Sequence, residues 1–138
     1  MTWTRVRLEL ARSRDFPEGS HHHGYEFVLP LNASGRIDRK AYQKTPELCT
    51  VHRFWEGSGD LIGTIHHTSH DRWMFSFHAG EMEDEPIPRF AEHLFREGEY
   101  LTVRETAGGE HTFRIVLVEP APGLAQAPGI RPTRTTSP

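Results

Sequence analysis

The chain has 138 residues, 36% of them hydrophobic and 25% charged, with a formal net charge of −3. That length suits one domain, which buries roughly two-thirds of its unfolded surface without needing a metal or disulfide to hold it. The composition excludes a disordered chain, and the longest apolar run, the four residues 115–118, excludes a membrane-spanning helix of roughly 20 residues.

Val6, Leu8 and Leu10 alternate with Arg5, Arg7 and Glu9, which predicts a half-buried strand. Gly19, Ser20 and Gly24 flank His21, His22 and His23. That pattern predicts a loop whose backbone can approach a ligand. Tyr25, Phe27, Leu29 and Leu31 alternate as a second strand, with Pro30 marking an edge or a strand end. Asn32-Ala33-Ser34-Gly35 is a turn, and Asp38 is placed to cap a short helix over residues 39–44 that Pro46 stops. Residues 50–55 read as a strand closed by the turn 56–60.

Residues 61–67 and 72–78 predict a hairpin across Thr68-Ser69-His70-Asp71. With His67 opposite Arg72, one face carries Ile62, Thr64, His66, Trp73, Phe75 and Phe77, an apolar surface expected to be core. Residues 81–85 are a charge run, read as a solvated loop. Residues 89–96 are either a marginal helix, pairing Phe90 with Leu94 and Ala91 with Phe95, or irregular. Residues 99–105 and 111–118 form a last hairpin across Ala107-Gly108-Gly109-Glu110. The fold expected is mainly β: a small antiparallel β-barrel, or a sandwich, of six or seven strands with one or two short helices. Edge closure favours the barrel. The folded domain covers residues 1–119. Residues 120–138 hold five of the ten prolines and read as an extended tail. Without Arg131 and Arg134 the body carries −5.

The N-terminus lacks the apolar region of a secretory signal, and the single Cys49 allows no internal disulfide. Both point to a reducing, cytoplasmic setting. Pro-Glu-Gly-Ser-His-His-His-Gly-Tyr-Glu-Phe-Val at residues 17–28 and Gly-Glu-Tyr-Leu-Thr-Val-Arg-Glu at residues 98–105 resemble an uncharacterised family of small bacterial β-rich proteins. The likeness runs over most of the first 119 residues. It implies a bacterial, non-secreted domain and carries no activity, ligand or catalytic residue.

Ten histidines are the most unusual feature, since imidazoles ligate metals and titrate near neutral pH. His66, His67 and His70 have helical metal-site spacing but lie in a hairpin, where His66 and His67 point to opposite faces. His66 beside Trp73 reads as a core-rim residue and His70 as a turn residue. His78, opposite Leu61, lies roughly 20 Å from His67 along the strand, too far to share a metal. His21, His22 and His23, with His52 and Trp55 from another strand, are the candidate ligand-binding residues. His21, His23 and His52 are the candidate metal set.

Cys49 reads as a small buried hydrophobe. Gly57-Ser58-Gly59 precedes a strand, so it is neither a phosphate loop nor a nucleophile elbow. No carboxylate pair stands out for acid–base work, and Asp60 and Asp71 read as turn formers. Arg53-Phe54-Trp55 and Arg72-Trp73-Met74-Phe75 interleave cations with aromatics that could stack bases. Against that, the aromatics are needed as core, and an acidic body opposes phosphate unless a local basic patch exists. The leading expectation is a barrel that binds a small molecule or a protein partner without catalysis. The alternatives are a His-dependent metal enzyme and a single-stranded nucleic-acid binder. A homodimer stays open, because small barrels bury exposed faces.

Overall fold

The computed structural model describes residues 1–77, 85–105 and 109–121. Eight strands make one antiparallel sheet: β1 (Thr2–Leu10), β2 (Ser20–Leu31), β3 (Thr50–Trp55), β4 (Leu61–His67), β5 (Trp73–Phe77), β6 (Glu85–Pro86), β7 (Tyr100–Glu105) and β8 (Gly109–Pro120). Their spatial order is β6-β5-β4-β3-β2-β1-β8-β7. The chain therefore meanders from β1 to β6, and the β7–β8 hairpin returns to pair with the free side of β1. The two end strands, β6 and β7, lie against each other without a shared ladder. The sheet thus curls into a nearly closed barrel, which hides the edges that an open sheet would expose. The expected barrel class holds, with one strand more than the six or seven read from the sequence. The extra one is β6, at the end of the charge run.

Period-two alternation fills the interior. Val6, Leu8 and Leu10 of β1 and Tyr25, Phe27, Leu29 and Leu31 of β2 are all buried, as expected. The Phe75 ring lies 4.7 Å from Tyr25 and 5.5 Å from Phe27, so the aromatic core crosses the barrel. Helix α1 (Arg39–Lys44) forms where expected, with the Ala41 N–H donating to Asp38 Oδ1 at 3.0 Å. Its Tyr42 hydroxyl donates to the Ile65 carbonyl at 2.8 Å and ties the helix to β4. Residues 89–96 contain only a 3-10 turn at Phe90–Glu92, because His93 turns to extended backbone. Phe90 and Phe95 are then both buried, their rings 5.1 Å apart. Tertiary burial overrides the local helical pairing there.

The β4–β5 hairpin departs from the expected register by one residue. His67 pairs with Trp73, Ile65 with Phe75 and Gly63 with Phe77. Thr68 and Arg72 close a three-residue loop, in which the Asp71 N–H donates to the Thr68 carbonyl and Asp71 takes a left-handed φ of 59°. This is a type I turn followed by a bulge residue, a loop that fixes register. As a result Phe75 and Phe77 face the core but Ile62 does not; it is 54% exposed. His66 also faces outward, and His67 takes the place beside Trp73 expected for His66. His70 is exposed in the turn as expected. His78, and with it the expected pairing to Leu61, lies outside the described residues, as do residues 106–108 of the last turn.

A bulge shapes the start of β2. On the β1 side, Glu9 pairs with Gly24 and Leu10 with Ser20, so residues 21–23 have no β1 partner. On the other side, His23 still pairs with Trp55 and the Glu56 N–H donates to the His22 carbonyl. The expected loop at His21–His23 is therefore a bulged strand. β8 continues to Pro120, which pairs with Thr4, so the fold runs one residue past the expected boundary. Beyond Ala121 the tail lies outside the described residues. Among the described residues, no helix is long and apolar enough to cross a membrane.

Candidate functional site

The bulge divides the three histidines. His21 and His22 are exposed, with ring centroids 4.6 Å apart. His23, in phase with Tyr25, turns inward and is buried. It packs against Phe16 and Trp55 at 4.9 and 4.5 Å, and its Nδ1 lies 2.7 Å from Ser20 Oγ. Burial lowers its pKa, so the neutral ring is favoured. His52 sits on the outer face of β3 in the opposite phase and meets Asp60 at 2.9 Å. His21, His22 and His52, with Trp55 at the margin, line one open trough of about 520 Å³. The expected metal set of His21, His23 and His52 is not assembled, because strand alternation sends His23 to the opposite side of the sheet from His52. Among the described residues, no group of three or more His, Cys, Asp or Glu could hold a metal ion.

The interior holds a polar cluster that sequence reasoning missed. Arg53 of β3 lies in phase with Val51, and Glu105 of β7 in phase with Leu101 and Val103, so both point inward. Glu85 of β6 is only 2% exposed, contrary to the solvated loop expected for residues 81–85; residues 81–84 lie outside the described residues. The Tyr25 hydroxyl lies 2.7 Å from Glu85 Oε1 and 2.6 Å from Glu105 Oε2. Arg53 approaches Glu105 at 3.5 Å and Glu85 at 4.0 Å while its guanidinium covers the Trp55 ring at 4.4 Å. His111 of β8 meets Glu105 at 3.7 Å. The carboxylate pair that no local motif revealed thus arises from strands β6 and β7 meeting at the seam. The available signal was period-two phase, which places Arg53 and Glu105 on core faces.

On the outside, a groove of about 370 Å³ runs between the β4–β5 loop and residues 86–92. Four arginines line it: Arg39, Arg72, Arg89 and Arg104. Trp73, Ile87 and Phe90 form its apolar floor. Asp71 and Glu92 are its acidic lining residues among those described, and Glu110 meets Arg104 at 2.7 Å, so of the four arginines Arg72 is the one without an ion pair among the described residues. Arg39 pairs with Asp71 at 3.1 Å and Arg89 with Glu92 at 3.2 Å. Two structural features mark the site. Arg89 holds a left-handed φ of 60°, a conformation costing a non-glycine residue about 1–2 kcal/mol. The buried Trp73 indole N–H has no acceptor among the described residues. The sequence pattern placed Arg72 beside a Trp73 expected to be core and did not reveal the groove, because its arginines come from four separate segments.

No protein-family model, curated protein or solved structure matches this chain.

Proposed function

We propose that this chain is a cytoplasmic binding module for a small anionic molecule with an apolar body, received in the arginine groove. The observation that carries the reading is the convergence of Arg39, Arg72, Arg89 and Arg104 over the apolar floor of Trp73, Ile87 and Phe90. A concave, largely apolar site with a few placed polar groups is the ordinary form of a ligand pocket, and about 370 Å³ suits a small molecule. Guanidinium groups bind carboxylates and phosphates in a bidentate fork and stay protonated. They supply recognition rather than acid–base chemistry, in keeping with binding without catalysis. The cytoplasmic setting rests on the single Cys49, buried and unpaired.

The test is calorimetric titration with 1-naphthyl phosphate, 1-naphthol and inorganic phosphate. The phosphate ester is expected to bind most tightly, because it alone meets both the floor and the arginines. Arg72→Ala and Arg104→Ala should each weaken it about tenfold, the equivalent of 1.4 kcal/mol. Equal binding of all three probes, or no effect of either variant, overturns the reading. A single-stranded oligonucleotide that binds the groove more tightly than the ester, with steep salt dependence, overturns it in favour of nucleic acid.

A further inference from the structure

The Tyr25 hydroxyl has one proton and two carboxyl neighbours, Glu85 Oε1 at 2.7 Å and Glu105 Oε2 at 2.6 Å. A phenol donates one hydrogen bond, and an ionised carboxylate only accepts. Both short contacts are satisfied together when one carboxyl is protonated and donates to the phenol oxygen while the phenol donates to the other. The surroundings decide which one. Glu105 has Arg53 at 3.5 Å and His111 at 3.7 Å. Glu85 sits farther from Arg53, at 4.0 Å, and is the more deeply buried of the two. Across its ladder to β5 it meets only Phe75. Among the described residues, the charged and titratable groups facing Glu85 are thus Tyr25 from β2, Arg53 from β3 and Glu105 from β7. With Glu85 neutral, Arg53 balances Glu105 and the buried cluster has no net charge.

We propose that Glu85 enters the barrel as a carboxylic acid and that its proton latches β6 at the seam, so that β6 detaches as Glu85 ionises. The proton leaves to solvent, and the carboxylate must then leave the interior, because an ionised group beside Glu105 with only one shared cation is poorly compensated there. Burial, followed by the charge of Glu105, raises the Glu85 pKa above its ordinary value in keeping with this. Among the described residues β6 has two ladder pairs, continued by the Ile87 N–H, which donates to the Trp73 carbonyl. The sign follows. The closed form binds the proton more tightly than the open form, so opening is favoured as pH rises from the ordinary glutamate range towards the Glu85 value.

Two measurements on the full chain test the proposal. Infrared difference spectra recorded as pH rises from the ordinary glutamate range should show a protonated-carboxyl band that Glu85→Gln removes and that Glu105→Gln, which takes away the opposing charge, loses at lower pH than the wild type. Hydrogen exchange should show the protection of the Ile87 amide, which donates to the Trp73 carbonyl at 2.9 Å, falling up to tenfold per pH unit across that window. In Glu85→Gln, whose amide mimics the neutral acid, protection should not vary with pH. If that variant fails to fold, the wild-type band and its loss in step with Ile87 protection still decide the matter. Absence of the band, its persistence in Glu85→Gln, its shift to higher pH in Glu105→Gln, or Ile87 protection that ignores pH in the wild type overturns the proposal.

Discussion

The His67 imidazole lies flat on the Trp73 indole, with ring centroids 4.1 Å apart and planes 15° from parallel. The two residues are ladder partners, so the stack reports the β4–β5 register directly. His67→Ala should cost about 1 kcal/mol, as expected for a lost ring–ring contact. His66→Ala, on the outer face, should stay within about 0.5 kcal/mol. Urea unfolding of both variants checks this, and the opposite ranking would restore the register read from the sequence.

The two isoleucines of β4 should separate as sharply. Ile65 is 2% exposed and Ile62 54%. Ile65→Ala should destabilise by about 2–5 kcal/mol through the cavity it leaves. Ile62→Thr should change stability by no more than about 0.5 kcal/mol. Thermal denaturation is sufficient to tell them apart, and equal losses would mean that Ile62 is part of the core.

Gly24 and Gly63 are required by close backbone approach. A methyl group at Gly24 would meet the Leu8 carbonyl oxygen, and one at Gly63 the Ser76 carbonyl oxygen. Backbone on a neighbouring strand cannot move aside as a flexible side chain can. Gly24→Ala and Gly63→Ala should each lose about 3 kcal/mol or more. Gly59, with open space around its Cβ position and no left-handed φ, is the control. Gly59→Ala should be neutral or stabilise by about 0.5 kcal/mol through the unfolded chain. Circular dichroism melts compare the three.

Cys49 should resist thiol reagents in the folded protein. It is fully buried, and burial pushes its thiol up to about 12. An unfolded cysteine titrates near about 8.5. Folding therefore favours the protonated thiol, and this contribution to stability is complete below about 8.5 and is lost as pH rises towards about 12. Labelling with a disulfide reagent at pH 8 should occur only at the rate of unfolding and should accelerate with urea. Immediate labelling of native protein would show that Cys49 is accessible.

Much of the barrel was legible because strands write their faces in a period of two. Val6, Leu8 and Leu10, or Tyr25, Phe27 and Leu29, announce an inward face without any knowledge of their neighbours. Register between strands is a different quantity. The β4–β5 shift depends on Asp71 accepting a left-handed backbone, and alternation alone does not count loop residues. The histidines drew attention by number, yet His23 and His52 were divided by strand phase. The buried cluster and the arginine groove stayed hidden for a shared reason: their members come from distant segments. Glu85 and Glu105 look like ordinary surface acids until β6 and β7 close the barrel. Arg53 was visible in phase with Val51, but a lone inward arginine reveals nothing until its partners arrive.

The bulge in β2 also separates two inheritances. Residues 21–23 owe no pairing to β1, while Ser20 and Gly24 on either side hold their places opposite Leu10 and Glu9. Replacement of the exposed His21 and His22 side chains can therefore be absorbed locally, leaving the ladder downstream undisturbed. The rim of this barrel is free to diversify at a pace its walls cannot follow.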